Sequence, residues 1–172
     1  MSRHGGTGQE HDAVPSSFAR AIESIRSAQL RAEVQIEETP APQRLSPYAV
    51  ALQATVMLDP TSDDEAASGR FVLLYDPAGQ EPWDGMFRIV SFAKGTVEMD
   101  IAGDPMLTEV AWSWLVEALY DHEAHFHAES GTVTRTSSQA FGAIGDRSPQ
   151  GDVEIRASWT PDSDDIGAHI EA

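Results

Sequence analysis

Apolar residues recur at helical spacing along residues 104–120, the longest such segment in the chain. Asp104 is expected to cap the first free backbone amides of this helix, and Pro105 to take its first position, where a missing N–H costs nothing. The apolar arc spans about 240°, much wider than the stripe of a surface helix. The pattern predicts a helix buried on more than one side, with a sheet wrapped around it.

The two flanks of this helix are expected to have different neighbours. Val110 and Trp114 belong to the broad apolar face of the helix and are expected to face the sheet. Trp112 and Val116 lie too far round to reach the same sheet. We expect the N-terminal helix to cover part of this flank and an apolar groove, open to a partner, to lie beside it. Plain core packing is the alternative.

Alternation of apolar and polar residues predicts strands at residues 33–38, 48–59, 70–75, 83–97, 130–138 and 153–159. The clearest is the second, in which every even position from Tyr48 to Leu58 is apolar. In the last, Val153 and Trp159 are expected to point at the helix. Short connections favour an antiparallel meander, with an acidic loop at residues 60–69 and a turn at residues 76–79.

These elements predict an α+β fold. An antiparallel sheet of about five or six strands packs on the central helix (104–120), with an N-terminal helix (16–30) and a short C-terminal helix start. The length of 172 residues suits one domain, assigned to residues 15–161. Residues 1–14 are polar, Gly-rich and expected to be disordered. Residues 162–172 form an acidic tail, in which Asp165 starts a helix too short to be stable without packing.

Composition excludes several kinds of function. The chain has no cysteine, which rules out disulfides, zinc–thiolate sites and thiol nucleophiles. Its net charge of −17, from 28 acidic and 11 basic residues, argues against direct nucleic-acid binding. No signal-peptide core or membrane-length apolar run is visible. We therefore expect a cytoplasmic protein that does not enter membranes.

Four motifs follow one another along the chain: EETPAPQRL at residues 37–45, DP at 104–105 with WSWL at 112–115, SGTVTR at 130–135, and EIRASWTP at 154–161. Together they resemble an actinobacterial family, domain of unknown function 3000, from about Phe18 to Pro161. The resemblance implies a bacterial cytoplasmic protein of unknown activity. It also implies a further C-terminal helix, which this chain, ending at Ala172, would present in truncated form.

His122, His125 and His127 form the most metal-like stretch. Imidazole, with the nearby Asp121 carboxylate, suits zinc or nickel. The spacing matches no known zinc motif, however, and the resemblance does not extend to these histidines. A solvated connection between helix and strand is the alternative that the spacing favours.

Arg44, Arg135 and Arg156 are candidates for an anion site, because guanidinium groups bind carboxylate or phosphate bidentately. The alternative is that each arginine pairs with a nearby glutamate and keeps the surface of the sheet satisfied.

The sequence contains no nucleophile elbow, P-loop or dinucleotide fingerprint. It therefore favours a non-catalytic binding or assembly protein without a cofactor. Such a protein would act through the groove beside Trp112 and Val116, on a protein partner or as a homodimer. A small metal-dependent hydrolase using residues 121–127 is the alternative.

Overall fold

The computed structural model describes residues 13–59, 61 and 64–172. Its framework is one antiparallel sheet of six strands: β1 (Val34–Thr39), β2 (Tyr48–Met57), β3 (Glu65–Gln80), β4 (Gly85–Val97), β5 (Phe126–Ser138) and β6 (Gln150–Pro161). The helices are α1 (Ser16–Arg26), α2 (Met99–Ala102), α3 (Leu107–Asp121) and α4 (Gly167–Glu171). The predicted α+β class and antiparallel sheet are confirmed.

Strand order is β1-β2-β3-β4-β6-β5. The first four strands form the predicted meander. The chain then leaves the sheet to form α2 and α3, and returns as a hairpin whose second strand, β6, pairs with β4. This insertion aligns Val90 of β4 with Ser158 of β6, and Ser158 with Ser130 of β5. Residues far apart in sequence thus become neighbours across one end of the sheet.

The sheet has two unlike faces, because successive side chains of a strand point to opposite sides. On the helix-bearing face, Leu73, Ile89 and Trp159 form the core with residues of α1, α3 and α4. The opposite side, the open face, carries no α-helix of the described residues. Part of it is covered by Trp83 and Ala41, which pack on the buried Val72 and Leu74.

Contrary to the prediction, α3 is not a central helix around which the sheet is wrapped. It lies over β5 and β6, where Leu107 and Ala111 pack against Val153. Val110 and Trp114, expected to face the sheet, are 39% and 49% exposed. An apolar arc this wide does not determine which part of it meets the sheet; the buried Leu107, Ala111 and Leu119, in the middle of the arc, do so.

Trp112 reaches the sheet directly. A Cβ added to Gly131 of β5 would lie only 2.6 Å from the indole of Trp112, so the missing side chain makes room for the ring. The predicted second layer over this flank is therefore not needed. Helix α1 instead packs over β2 and β3, where the ring of Phe18 lies 5.6 Å from that of Tyr48 and 5.8 Å from that of Tyr75.

Several predicted boundaries are wrong. Helix α1 ends at Arg26, and α3 begins at Leu107; Asp104 still accepts a hydrogen bond of 2.9 Å, from the amide of Met106. Strand β3 begins at Glu65, so it extends over the second half of the predicted acidic loop and through the predicted turn. Its first residues, mostly alanine, serine and glycine, carry too little hydrophobic contrast to predict a strand. Residues 60, 62 and 63 of the predicted loop lie outside the described residues.

The predicted acidic tail, residues 162–172, packs onto α1. The Ile166 amide donates a hydrogen bond of 2.8 Å to Ser24 Oγ, and the Ile166 side chain is fully buried. Arg20 pairs with Asp164 at 2.7 Å. This packing supplies the support that so short a helix requires. Of the tail predicted at the other end, residues 1–12 lie outside the described part of the chain.

Among the described helices, none combines the length and apolar character needed to cross a bilayer.

Candidate functional site

An apolar groove of about 400 Å³ opens on the helix-bearing face, in the part that α1 and α3 leave uncovered. We call it the apolar groove. Its lining includes Val34, Ile36, Leu52, Ala54, Val56, Ala67, Phe71, Ala93, Leu115, Trp159, His169 and Ile170. Five strands, β1 to β4 and β6, therefore supply the floor, and α3 and α4 supply the walls.

The floor of the groove follows from strand register. Ile36 aligns with Ala54, and Ala54 aligns with Gly69 on β3. Small residues keep this part of the floor low, and a Cβ at Gly69 would come within 3.1 Å of the Phe92 carbonyl oxygen. The groove is thus shallow and its floor is apolar, which suits the packing of another secondary-structure element.

The wall formed by α4 contains a buried histidine. Trp159 Nε1 donates a hydrogen bond of 3.0 Å to His169 Nδ1. Burial lowers the pKa of His169 to about 4, against the opposing effect of the carboxylates of Asp165 and Asp162. His169 is therefore neutral at pH 7, and the acidic side chain that α4 places at the groove is that of Glu171.

The residues predicted to border a groove are close to it but do not line it. Helix α3 reaches the groove through Leu115. Trp112 and Val116 are half-buried, and Trp112 lies against Gly131 of β5. The alternating apolar residues of β1 and β2 were the signal for the groove. Sequence reasoning used them to predict a buried strand face rather than a binding surface.

The candidate metal ligands do not converge. His122 Nδ1 lies 2.9 Å from the Ala118 carbonyl at the end of α3, and His125 is exposed. His127 bonds through Nδ1 to Asp162 at 2.5 Å. Across residues 13–59, 61 and 64–172, no three histidine, cysteine, aspartate or glutamate side chains are grouped to hold a metal ion.

His127 instead lies between two aspartates at the surface, Asp84 and Asp162, and contacts both. Its Nε2 lies 3.0 Å from the Asp84 backbone oxygen and 3.5 Å from the Asp84 carboxylate. These contacts, first the hydrogen bond to the Asp84 backbone and then that to Asp162, raise the pKa of His127. The arrangement fastens the start of β5 to the turn before β4.

The three candidate arginines do not form one site. Arg44 is exposed in the connection between β1 and β2. Arg135 donates a hydrogen bond of 2.9 Å to the Ala102 carbonyl, on the helix-bearing face, whereas Arg156 lies on the open face. Because residues 135 and 156 occupy opposite parities of the paired strands, their side chains point away from each other. The predicted three-arginine anion site is therefore wrong.

Sequence reasoning missed Arg88 of β4. This arginine is only 8% exposed and lies in an apolar run beside Phe87 and Ile89. Its guanidinium donates hydrogen bonds to the Ala128 carbonyl, to Thr160 Oγ1 and to Ser158 Oγ. A charge between apolar neighbours in a strand was the available signal.

Comparison with known proteins gives one result. The family described as "Protein of unknown function (DUF3000)" matches residues 14–172, which include all four sequence motifs. The chain matches none of the curated proteins and none of the solved structures. The extent of the match confirms the resemblance, and the chain belongs to the DUF3000 family.

Proposed function

We propose that this protein is a non-catalytic binding protein whose apolar groove receives an amphipathic helix of a partner protein. The observation that carries the proposal is the uncovered half of the helix-bearing face. There, apolar side chains of five strands line a groove of about 400 Å³ beside α3 and α4.

A helix suits the groove better than other shapes. A sheet buries its apolar face by packing a second layer against it. On this face the second layer is already helical, and the groove continues the same layer beside Leu115 and Ile170. An amphipathic helix would fill that place with its apolar side, as peptides do in groove-binding complexes.

Charge favours a basic partner over a second copy of this chain. The net charge is −17, so two copies would repel each other as they approach. A helix with lysine or arginine on its outer side would be attracted. The proposed occupant is therefore a segment that is apolar on one side and basic on the other.

The alternative of a small metal-dependent hydrolase finds no support in the groove. His169 is the histidine that lines it, and its imidazole is engaged by Trp159. His122, His125 and His127 belong to the connection between α3 and β5 and to the start of β5, and they do not line the groove.

A designed helical peptide of leucine and lysine, apolar on one side, tests the proposal by calorimetric titration. We expect saturable binding, weaker for a leucine–glutamate peptide of the same pattern. The groove variant Ala93→Gln should weaken binding by about tenfold, because it leaves an amide under the apolar side of the peptide. The matched control is Thr96→Gln, which adds a similar side chain on the open face of the same strand and should leave the affinity unchanged.

Two results would contradict the proposal. One is the absence of saturable binding. The other is an equal affinity of the peptide for wild type and for Ala93→Gln. A molecular mass that rises with concentration in wild type and not in Ala93→Gln would assign the groove to a second copy of the chain instead.

A further inference from the structure

Arg88 is a buried charge that has no carboxylate beside it. Within the described ranges, none of the ion pairs involves Arg88. Its acceptors are neutral: the Ala128 carbonyl at 2.8 Å, Thr160 Oγ1 at 3.0 Å, Ser158 Oγ at 2.8 Å and Ser130 Oγ at 3.5 Å. A buried charge is normally paired. The open face therefore holds one positive charge that the protein itself does not neutralise.

Two serine hydroxyls carry the effect of this charge to the surface. Ser158 Oγ accepts a hydrogen bond from Arg88 Nη2, so its own hydrogen is available to another acceptor. Ser130 Oγ lies 3.4 Å from Ser158 Oγ, and Ser130 is exposed. Both serines line a shallow depression of about 560 Å³ on the open face. Hydroxyl donors backed by a guanidinium group favour a negatively charged acceptor.

A second guanidinium group stands at the edge of the same depression. The Arg156 side chain is 67% exposed, and its nearest carboxylate oxygen, Glu154 Oε2, is 3.7 Å away. Its Cζ lies 5.3 Å from the centre of the Phe92 ring. Phe92 and the partly exposed Val90 form the apolar side of the depression. Donors and an apolar surface thus meet in one place.

We propose that this depression binds a small organic oxyanion, a carboxylate or phosphate carried on a flat apolar body. The anionic group would accept from the hydroxyls of Ser130 and Ser158 and pair with Arg156. The apolar body would lie on Phe92 and Val90. The depression has the volume of a small-molecule site, and the acidic chain disfavours a polyanion such as nucleic acid. This site uses Arg88 and the serines, and it lies on the opposite side of the sheet from the apolar groove.

Phenyl phosphate, benzoate and inorganic phosphate are the probes, titrated separately and followed by amide chemical shifts. We expect saturable shifts at Ser130, Gly131 and Ser158, with dissociation constants below about 10 mM. Inorganic phosphate should bind more weakly than phenyl phosphate, because it lacks the body that contacts Phe92. The tighter of phenyl phosphate and benzoate identifies the anionic group.

Variants of exposed residues test the assignment without disturbing the fold. Arg156→Gln and Ser130→Ala should each weaken binding of the tighter probe, the former by about tenfold. The matched control Arg135→Gln removes an arginine from the other face and should change nothing. Failure of all three probes to saturate by about 10 mM would overturn the proposal. So would binding that Arg135→Gln weakens as much as Arg156→Gln.

Discussion

The two faces of the sheet are stabilised by different interactions. On the helix-bearing face, Trp159, Leu73 and Ile89 pack among helices. On the open face, β4, β5 and β6 hold Arg88 in a set of hydrogen bonds with Ala128, Ser158 and Thr160. Apolar packing is not directional, so it tolerates a groove that accepts helices of varied sequence. Hydrogen bonds fix both distance and angle, so the open face suits a small ligand of defined geometry.

Strand parity produces this difference. In β6, Trp159 and Ala157 face the helices, while Thr160 and Ser158 face the other way. One strand thus contributes its odd positions to the core and its even positions to the polar network. Substitutions on the helix-bearing face should therefore remove apolar packing, and those on the open face should remove hydrogen bonds. Three changes test this difference, taken from the largest expected effect to the smallest.

The largest loss is expected from Trp159→Ala, on the helix-bearing face. Trp159 is 2% exposed and donates to His169, so truncation leaves a cavity and an unpaired imidazole. We expect the free energy of unfolding to fall by about 3–5 kcal/mol in urea denaturation. The control is Trp114→Ala, whose side chain is 49% exposed and should cost less than about 1 kcal/mol. Equal losses in the two variants would mean that the core does not lie between β6 and the helices.

Protonation of His169 should have the next largest effect. Its pKa of about 4 in the folded protein lies below the unfolded value of 6.5, so acid favours unfolding. The stabilisation is complete above pH 6.5 and is lost as the pH falls toward 4, by about 3 kcal/mol. Its imidazole resonance, identified by its absence in His169→Gln, should titrate near pH 4. A midpoint near 6.5 would show that α4 does not bury this ring.

His127 should respond in the opposite direction, which makes it an internal control for the same titration. Its contacts with Asp84 and Asp162 raise its pKa above the ordinary value. The stabilisation from this histidine is therefore present below pH 6.5 and lost as the pH rises through its folded pKa. The His127 resonance should titrate above pH 6.5 and well apart from that of His169.

The smallest of the three losses is expected from Arg88→Leu, on the open face. The variant removes hydrogen bonds from a charged donor but also removes the cost of burying that charge. We expect a net loss of about 2 kcal/mol in the same denaturation experiment. Arg156→Gln, an exposed arginine on the same face, should cost less than about 1 kcal/mol. A loss as large as that of Trp159→Ala would contradict the difference drawn between the faces.

Much of the sheet could be predicted from the sequence. The alternating residues of β2 and β6 predict those strands, because large residues such as Val50 and Trp159 alternate with small or polar ones. The start of β3 escaped prediction because Ala66, Ala67 and Gly69 are too small to show alternation. Its existence depends on pairing with β2 and β4, which a local pattern does not contain.

The orientation of α3 could not be predicted for a different reason. Trp112 and Trp114 are two positions apart, on nearly opposite sides of the helix, and both are large and apolar. Periodicity grouped Trp114 with the residues expected to face the sheet and placed Trp112 on the flank, because so wide an arc does not show where its centre meets the sheet. Gly131, on a strand that follows α3 in the chain, makes room for Trp112 and leaves Trp114 exposed. A long-range contact decided what the local pattern left open.

The candidate sites were limited in the same way, because the sequence shows the type of a residue but not its position in the sheet. The three arginines were grouped by residue type, and the strand positions of Arg135 and Arg156 separate them. Arg88 was passed over because its neighbours read as an apolar strand, although a charge at that position must find partners. Those partners come from β5 and β6, about 40 or more residues further along the chain, and only the strand order brings them together.

The central claim is that the apolar groove, rather than the opposite side of the sheet, receives an amphipathic basic helix. Because the chain has no cysteine, Ala54→Cys places a single fluorescent label in the groove, and Gln53→Cys places it one residue away on the open face. Titration with the leucine–lysine peptide should shift the emission of the label at position 54 to the blue, while that at position 53 stays unchanged. Equal shifts at both positions, or a shift at position 53 alone, would contradict the account.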